Sequence, residues 1–321
     1  KGSLTELFSE EEIFEELKEF QKLQRHGIVL VSAFDATYPQ LLRQLYSPPL
    51  VLYLRGNTQL LSHAACIAIV GSRNADLKGC QYAHAFSNKL SLEGACVVSG
   101  LALGIDGAAH RGALENNRQG STIAVLGNGL PSIYPASHRE LGNQILEQKG
   151  LLISPFPPGA PALRHHFLYR NQIIAGLSHG GLIIQAGERS GSLSTARHLL
   201  ENGREVYVLP GEADNPRYRG SLSLIKQGAQ LVISAADIQL PQTFMKESKE
   251  ASSNRYQLSI SQALLRDYLL EHGEQSVADL EDGLQIENVA LELCQLELDG
   301  LINVTCGNIV SWIDEASPQK P

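Results

Sequence analysis

Glycines, hydroxyls and basic side chains crowd together at five places in this sequence, and each could hold an anion or do chemistry. At the first, Gly71 permits a sharp turn, Ser72 offers a hydroxyl and Arg73 can fork onto a phosphate, although a glycine here can equally be an ordinary turn. The second runs from Ser99 to Asp106 and on to His110. Asp106 and His110, four residues apart, could form an acid/base or metal pair, or a helix cap and a histidine packed one turn later; a metal would want a third ligand, and none is evident. The third is Gly127-Asn128-Gly129, with a turn at Tyr134-Pro135. The fourth, Pro161 to Asn171, alternates Arg164, Phe167 and Arg170 in what is expected to be a loop before a helix from Asn171. Such a loop grips phosphate while stacking a base, a sequence-tolerant way to hold a single strand; the alternative makes Phe167 and Tyr169 core residues and the arginines surface ones. In the fifth, Arg189, Ser190, Gly191 and Ser192 feed a hydroxyl-rich stretch into a helix that also carries Arg197. That is either an anion cradle at a helix N-terminus or a plain serine cap.

These loops follow short, continuous apolar runs: Ile67–Val70, Cys96–Val98, Thr122–Leu126, Leu151–Ile153, Leu182–Ile184, Val206–Leu209 and Leu231–Ile233. Continuous runs imply strands buried on both faces, and their alternation with helical stretches predicts a Rossmann-like, doubly wound α/β core with a mostly parallel sheet over 63–236. Ligands of such sheets collect beyond the carboxyl ends of the strands, where these loops lie. Residues 1–62 are expected to form a small α-rich region, with Leu7, Ile13, Phe14, Leu17 and Phe20 at helical spacing, strands at Ile28–Val31 and Leu50–Tyr53 and a helix around Pro39–Tyr46. A polar linker is expected over 237–257. Over 258–315, three helices and two short strands have the order of a winged helix.

The 321 residues carry a net charge of −8, which taken whole argues against nucleic acid. Its distribution changes the reading. From Ala64 to Ser234 there are 15 Lys and Arg against 11 Asp and Glu, but from Leu258 to Glu315 one against 12. The acidic C-terminal module is poorly suited to a phosphate backbone and is expected to contact protein. Five scattered cysteines form no CxxC pair, so reduced core thiols and no metal are expected. No apolar run is long enough to span a bilayer and no signal pattern opens the chain, so a cytoplasmic location is expected. Lys1 stands where an initiating Met is expected, which suggests residues missing upstream.

Several motifs together resemble the DprA/Smf DNA-processing family: VGSR (Val70–Arg73), SGLALGIDGAAH (Ser99–His110), AVLGNGLPSIYP (Ala124–Pro135), FLYRNQIIAGLS (Phe167–Ser178), RSGSLSTA (Arg189–Ala196), LPGEADN (Leu209–Asn215) and RGSLSLIKQGA (Arg219–Ala229). The lead-in stretches YPQLL and PPLVLYLRGN (Tyr38–Leu42, Pro48–Asn57) add to the likeness. The resemblance implies a homodimer that binds incoming single-stranded DNA during natural transformation, hands it to the RecA recombinase and performs no chemistry of its own. It implies DNA contacts at Arg73, Arg164 and Phe167, with Gly71, Ser72, Arg170, Asn171, Arg189, Ser190, Gly191 and Ser192 lining the same pocket, and self-association near Leu224, Ile225 and Leu231. No cofactor is implied. The chain departs from the family at Gln172, where a second arginine is usual, and at Pro155 and Gln185, where glutamates are common.

A second hypothesis is a nucleotide phosphoribohydrolase-like enzyme of the lysine-decarboxylase-like group. That group is expected to carry a PGGxGT-type loop followed by a glutamate, whereas Gly187–Ala196 lacks paired glycines and meets no carboxylate until Glu201.

Overall fold

Runs such as Cys-Ile-Ala-Ile-Val-Gly have no polar alternation, so as strands they must be covered on both faces. The computed structural model describes residues 18, 21, 23–115, 120–239, 241, 259–284, 289–298, 302–305 and 309–312. The expected helix over Leu7–Phe20 lies outside these apart from residue 18, and so does the 242–257 part of the expected linker. The chain divides into two compact units, Lys1–Ser248 and Lys249–Pro321.

The first unit is built from β1 (Ile28–Ser32), α1 (Gln40–Arg43), β2 (Val51–Gly56), β3 (Cys66–Gly71), α2 (Leu77–Leu92), β4 (Cys96–Ser99), α3 (Ile105–Glu115), β5 (Thr122–Val125), α4 (Arg139–Glu147), β6 (Leu151–Ser154), α5 (Arg164–Leu177), β7 (Gly180–Ile184), α6 (Ser192–Glu201), β8 (Glu205–Val208), α7 (Arg219–Lys226) and β9 (Gln230–Leu231). The strands form one sheet in the order β1-β2-β6-β5-β4-β3-β7-β8-β9. The seven strands from β6 to β9 across this order are parallel, while β2 pairs antiparallel with both β6 and β1. The sheet therefore continues across the boundary expected near residue 62. The sequence locates β1 and β2, but nothing in two short strands says which sheet they join.

Alternate strand residues face opposite layers. Ala68, Val70, Val98 and Ile183 pack with Ile173 and Ile174 of α5 and Ala196 and Leu199 of α6. Ile67, Ile69 and Val97 pack with Phe86 and Leu90 of α2 and Ile105 and Ala109 of α3. The chain steps outward from β3 through β4, β5 and β6, then returns to place β7 on the other side of β3. This reversal makes the topological switch point of a doubly wound sheet, and it opens a crevice between the loops that follow β3 and β7.

In the second unit, α8 (Ile260–His272), α9 (Val277–Gly283) and α10 (Val289–Leu298) bury Leu265, Leu269, Leu280, Leu293 and Leu296 with Ile302 and Val310. The strands β10 (Gln275–Ser276), β11 (Ile302–Thr305) and β12 (Ile309–Trp312) make an antiparallel sheet in the order β10-β12-β11. Capping boxes at Ser259 and Ser276 start the first two helices. The arrangement fits the expected winged helix; β10 was not expected, because two residues carry no periodicity. Among the described residues, no helix is long and apolar enough to cross a membrane.

One buried arginine ties three elements of the first unit together. Arg204, just before β8, donates through Nη1 to the carbonyls of Ala175 and Ser178 (2.6 Å to the latter) and through Nη2 to that of Leu41 at 2.8 Å. It thereby pins α1 to the C-terminal end of α5. Replacing it would orphan carbonyls at about 1–3 kcal/mol apiece where they stay buried. We expect Arg204→Ala to lower stability by about 2–4 kcal/mol in urea unfolding monitored by circular dichroism; a loss below about 0.5 kcal/mol would show that these bonds contribute nothing net.

Candidate nucleic-acid interface

The loops at the switch point enclose a cleft of about 780 Å³. All eleven residues expected at the site lie on its wall: Gly71, Ser72 and Arg73 after β3, Arg164, Phe167, Arg170 and Asn171 on α5, and Arg189, Ser190, Gly191 and Ser192 after β7. Gly71 is dictated by the close approach of neighbours, since a Cβ there would collide with the Ile184 carbonyl and with the Ile105 side chain, 2.6 Å away. Ser72 N donates to the Gln185 carbonyl at 3.0 Å, so the first and fifth loops are joined through backbone.

The segment from Arg164 corrects the sequence reading. It is not a loop ahead of a helix at Asn171 but the first two turns of α5, which begins at Arg164. The inward-facing side of those turns carries Arg170 and Asn171 among its buried residues, so apolar periodicity starts only at Ile173 and the early turns are invisible to it. The helix raises Phe167 into the cleft, its ring against the backbone of Gly127, where an added Cβ would lie 2.7 Å from it. Arg73 places its guanidinium carbon 4.7 Å from the ring centroid, and Arg170 lies 5.8 Å from the same centroid. Tyr134, expected only as part of a turn, stands 5.6 Å away, tilted by 47°, as a second aromatic wall.

The arginines divide into two kinds. Arg73, Arg164 and Arg189 are exposed and free to meet an anion. Arg170 is 2% exposed; its Nη1 donates to the carbonyls of Gly100 and Val125, the latter at 2.6 Å, and holds the ends of β4 and β5 together. Burial, and then the neighbouring Arg73, push its pKa down to about 10 against the pull of Asp106, which leaves it charged at neutral pH. Asn171 is likewise structural: its amide donates to the Gly191 carbonyl at 3.1 Å and to Ser194 Oγ at 2.8 Å, setting the fifth loop in place.

Asp106 and His110 do not form a pair with each other in the hydrogen bonds observed. Asp106 Oδ2 accepts from Gly100 N at 3.2 Å, and burial raises its pKa against the opposing effect of Arg170. His110 Nδ1 meets Thr122 Oγ1 at 2.8 Å while Nε2 accepts from Leu101 N at 3.3 Å, so it braces the left-handed turn at Leu101 (φ 54°). Two buried polar atoms on the cleft wall, Arg170 Nε and Thr195 Oγ1, have no hydrogen-bond partner, which marks the floor as a place for a polar ligand. Thr195 and Leu168 also line the cleft and were not expected; both belong to helical segments whose composition gives no sign of exposure to a ligand. Of the residues expected at a self-association surface, Leu224 is 8% exposed and belongs to the core and Ile225 packs against that core, while Leu231 is 49% exposed on the edge strand β9.

Residues 29–241 match the family described as DNA recombination-mediator protein A. The chain belongs to this family. It is 46% identical over 209 residues to Protein Smf of Escherichia coli, covering 65% of this chain and 55% of that one, so it spans about half the length of that relative. It is 39% identical to DNA processing protein DprA of Bacillus subtilis, with 67% and 71% covered. Among solved structures, DprA of Streptococcus pneumoniae is similar at a TM-score of 0.62, with 37% identity over 68% of this chain and 76% of that one. DNA processing protein A of Helicobacter pylori, whose structure describes a single-stranded DNA binding mode of that protein, is similar at a TM-score of 0.59, with 28% identity over 70% and 96%. The family is, by its description, one of recombination mediators.

Burial under the second loop has a consequence for acid stability. Burial, followed by the charges of His138, Arg170 and Arg111, depresses the His110 pKa from 6.5 to about 3. The unfolded chain therefore takes up a proton that the folded chain refuses; stability from this group is full above pH 6.5 and is lost as pH falls toward 3. The slope is about 1.4 kcal/mol per pH unit, or about 2 kcal/mol between pH 6.5 and 5. His110→Gln should flatten that part of the stability profile in urea titrations; an unchanged slope would remove His110 as its source.

Proposed function

We propose that the chain binds single-stranded DNA in the switch-point cleft and delivers it to a RecA-type recombinase in the cytoplasm, acting as a homodimer. The observation that carries the DNA reading is Phe167, an aromatic ring within cation–π reach of the guanidinium groups of Arg73 and Arg170 in a cleft that also carries Arg164 and Arg189. A ring of this kind stacks any base, while exposed arginines follow the backbone, a combination that suits a strand whose bases are unpaired. The single-strand binding described for the Helicobacter pylori relative supports the same reading. Transfer to a recombinase and a role in natural transformation rest on family membership. The acidic second unit supports a protein-facing role, because its field repels phosphate and suits a basic partner surface. For self-association, the edge strand β9 with exposed Leu231 and Ile233 is the surface we favour.

Arg73→Ala should weaken binding to a labelled single-stranded oligonucleotide at least tenfold and lower the salt slope by about one phosphate. Phe167→Ala should cost about 1–3 kcal/mol with less change in salt slope. Fluorescence polarisation across a salt series reads both effects, and unchanged affinity in both variants would sink the proposal. Separately, the double change Leu231→Asp and Ile233→Asp should turn a dimer into a monomer in sedimentation velocity; an unaltered sedimentation coefficient would put the interface elsewhere.

A further inference from the structure

The cleft does not end at Phe167. Helix α5 leaves it carrying an outward stripe of Arg164, Leu168 and Gln172, spaced i, i+4, i+8, with Leu168 51% exposed and Tyr169 beside it. Gln172 Nε2 donates to the carbonyl of Ser47 at 3.2 Å, which brings the connection between α1 and β2 against the helix. The residue before that carbonyl is Tyr46, whose side chain is fully exposed. Ala33 N donates to the Leu50 carbonyl at 2.9 Å, so Phe34, 89% exposed, and the exposed Leu50 belong to the same end of the sheet.

The strand register shows which end that is. Tyr53 pairs with Ser154 and Gly56 with Leu151, so β2 begins at the carboxyl edge of the parallel strands; Ser32 pairs with Val51, so β1 finishes there. The cleft opens at this same edge. Five inter-strand steps separate β1 from β3, roughly 24 Å at the usual spacing. Tyr46 thus stands at the far end of a stripe that starts at the cleft, and Phe34 stands at the same edge of the sheet.

Charge argues for what lies along it. Residues 36–75 include Tyr46 and the Arg73 loop, and residues 148–187 include all of α5. Neither segment contains a single Asp or Glu, although the chain as a whole is acidic, and their exposed cations include Arg43, Arg73 and Arg164. Phe34 lies just outside these segments beside the exposed Asp35, but Arg43 Nη2 donates to the Asp35 carbonyl at 2.8 Å and brings a cation to the same turn. Exposed cations and aromatic rings on carboxylate-poor segments have the makings of a single-strand groove.

We propose that single-stranded DNA leaving the cleft runs along the Arg164–Leu168–Gln172 face of α5 and stacks bases on Tyr46 and Phe34, a second base-binding station at the β1–β2 edge. The inference rests on the cleft binding single-stranded DNA. It requires a strand long enough to reach both stations, and its test uses the full chain with oligonucleotides of about 4 and about 16 nucleotides, the usual span of single-strand sites. The double variant Phe34→Ser, Tyr46→Ser should bind the longer oligonucleotide about tenfold more weakly and the shorter one as the unchanged chain does. Phe34→Tyr, Tyr46→Phe keeps both rings and should retain full affinity for both.

Equal affinity of the serine variant for the longer strand overturns the second station, as does a loss that the ring-retaining variant fails to rescue. A serine variant with altered sedimentation and unchanged DNA affinity would make the surface a protein interface, which also overturns it. Failure of the unchanged chain to bind either oligonucleotide would instead bring down the cleft reading itself, so the two failures are told apart.

Discussion

A guanidinium that has left water must find acceptors nearby or lose several kcal/mol, and Arg170 meets this demand by reaching the backbone of two strands at once. Gly100 and Val125 give up their carbonyls at the ends of β4 and β5, Asp106 supplies a neighbouring carboxylate, and Phe167 lies within cation–π reach. The side chain thus fixes the spacing of two strand ends, the start of α3 and the ring in the cleft. Arg170 does not need to touch a ligand to be indispensable to the site. Lysine could not replace it, because one ammonium cannot span two carbonyls and face a ring with the same planar geometry.

The switch point explains why these demands meet at one place. Loops after β3 and β7 must pass close to each other there, and Gly71 allows the pass because no side chain would fit against the Ile184 carbonyl. Gly127 does the same for the Phe167 ring. Close backbone approach leaves N–H groups, hydroxyls and exposed arginines as the lining, which is a surface that favours an anion with a flat apolar part. The bracing comes from behind: His110 holds Leu101, and Asn171 holds the loop that carries Ser190 and Ser192.

How far the sequence announces all this depends on what each residue does locally. The strands are legible because burial on both faces leaves continuous apolar runs, and every core strand lies within a residue or two of its run. The loops are legible because they follow those runs with glycines and hydroxyls. The start of α5 is not, since a buried arginine and asparagine replace the apolar residues that would have displayed its period. For the same reason Arg170 reads as a surface cation: charge alone does not reveal that two carbonyls, far apart in sequence, will enclose it. Leu224, expected near a self-association surface, packs into the core of this chain, a placement its apolar side chain alone does not distinguish. The joining of β1 and β2 to the main sheet is invisible because strand pairing is a long-range choice with no local mark.

Net charge is a poor guide to such a molecule because fields act over about a Debye length, roughly 8–10 Å at physiological salt. A phosphate entering the cleft senses Arg73, Arg164 and Arg189 and the carboxylate-free segments around them, while acidic residues farther off are screened. The one carboxylate on the cleft wall, Asp106, has the Arg170 charge close by, which offsets its repulsion, while burial raises its pKa. With the net negative charge carried chiefly by the second unit, an acidic chain can still present exposed arginines around its cleft. Affinity in such an arrangement is set by a few local charges and the rings between them, so it must depend on salt in proportion to those few contacts and scarcely at all on the overall charge of the chain.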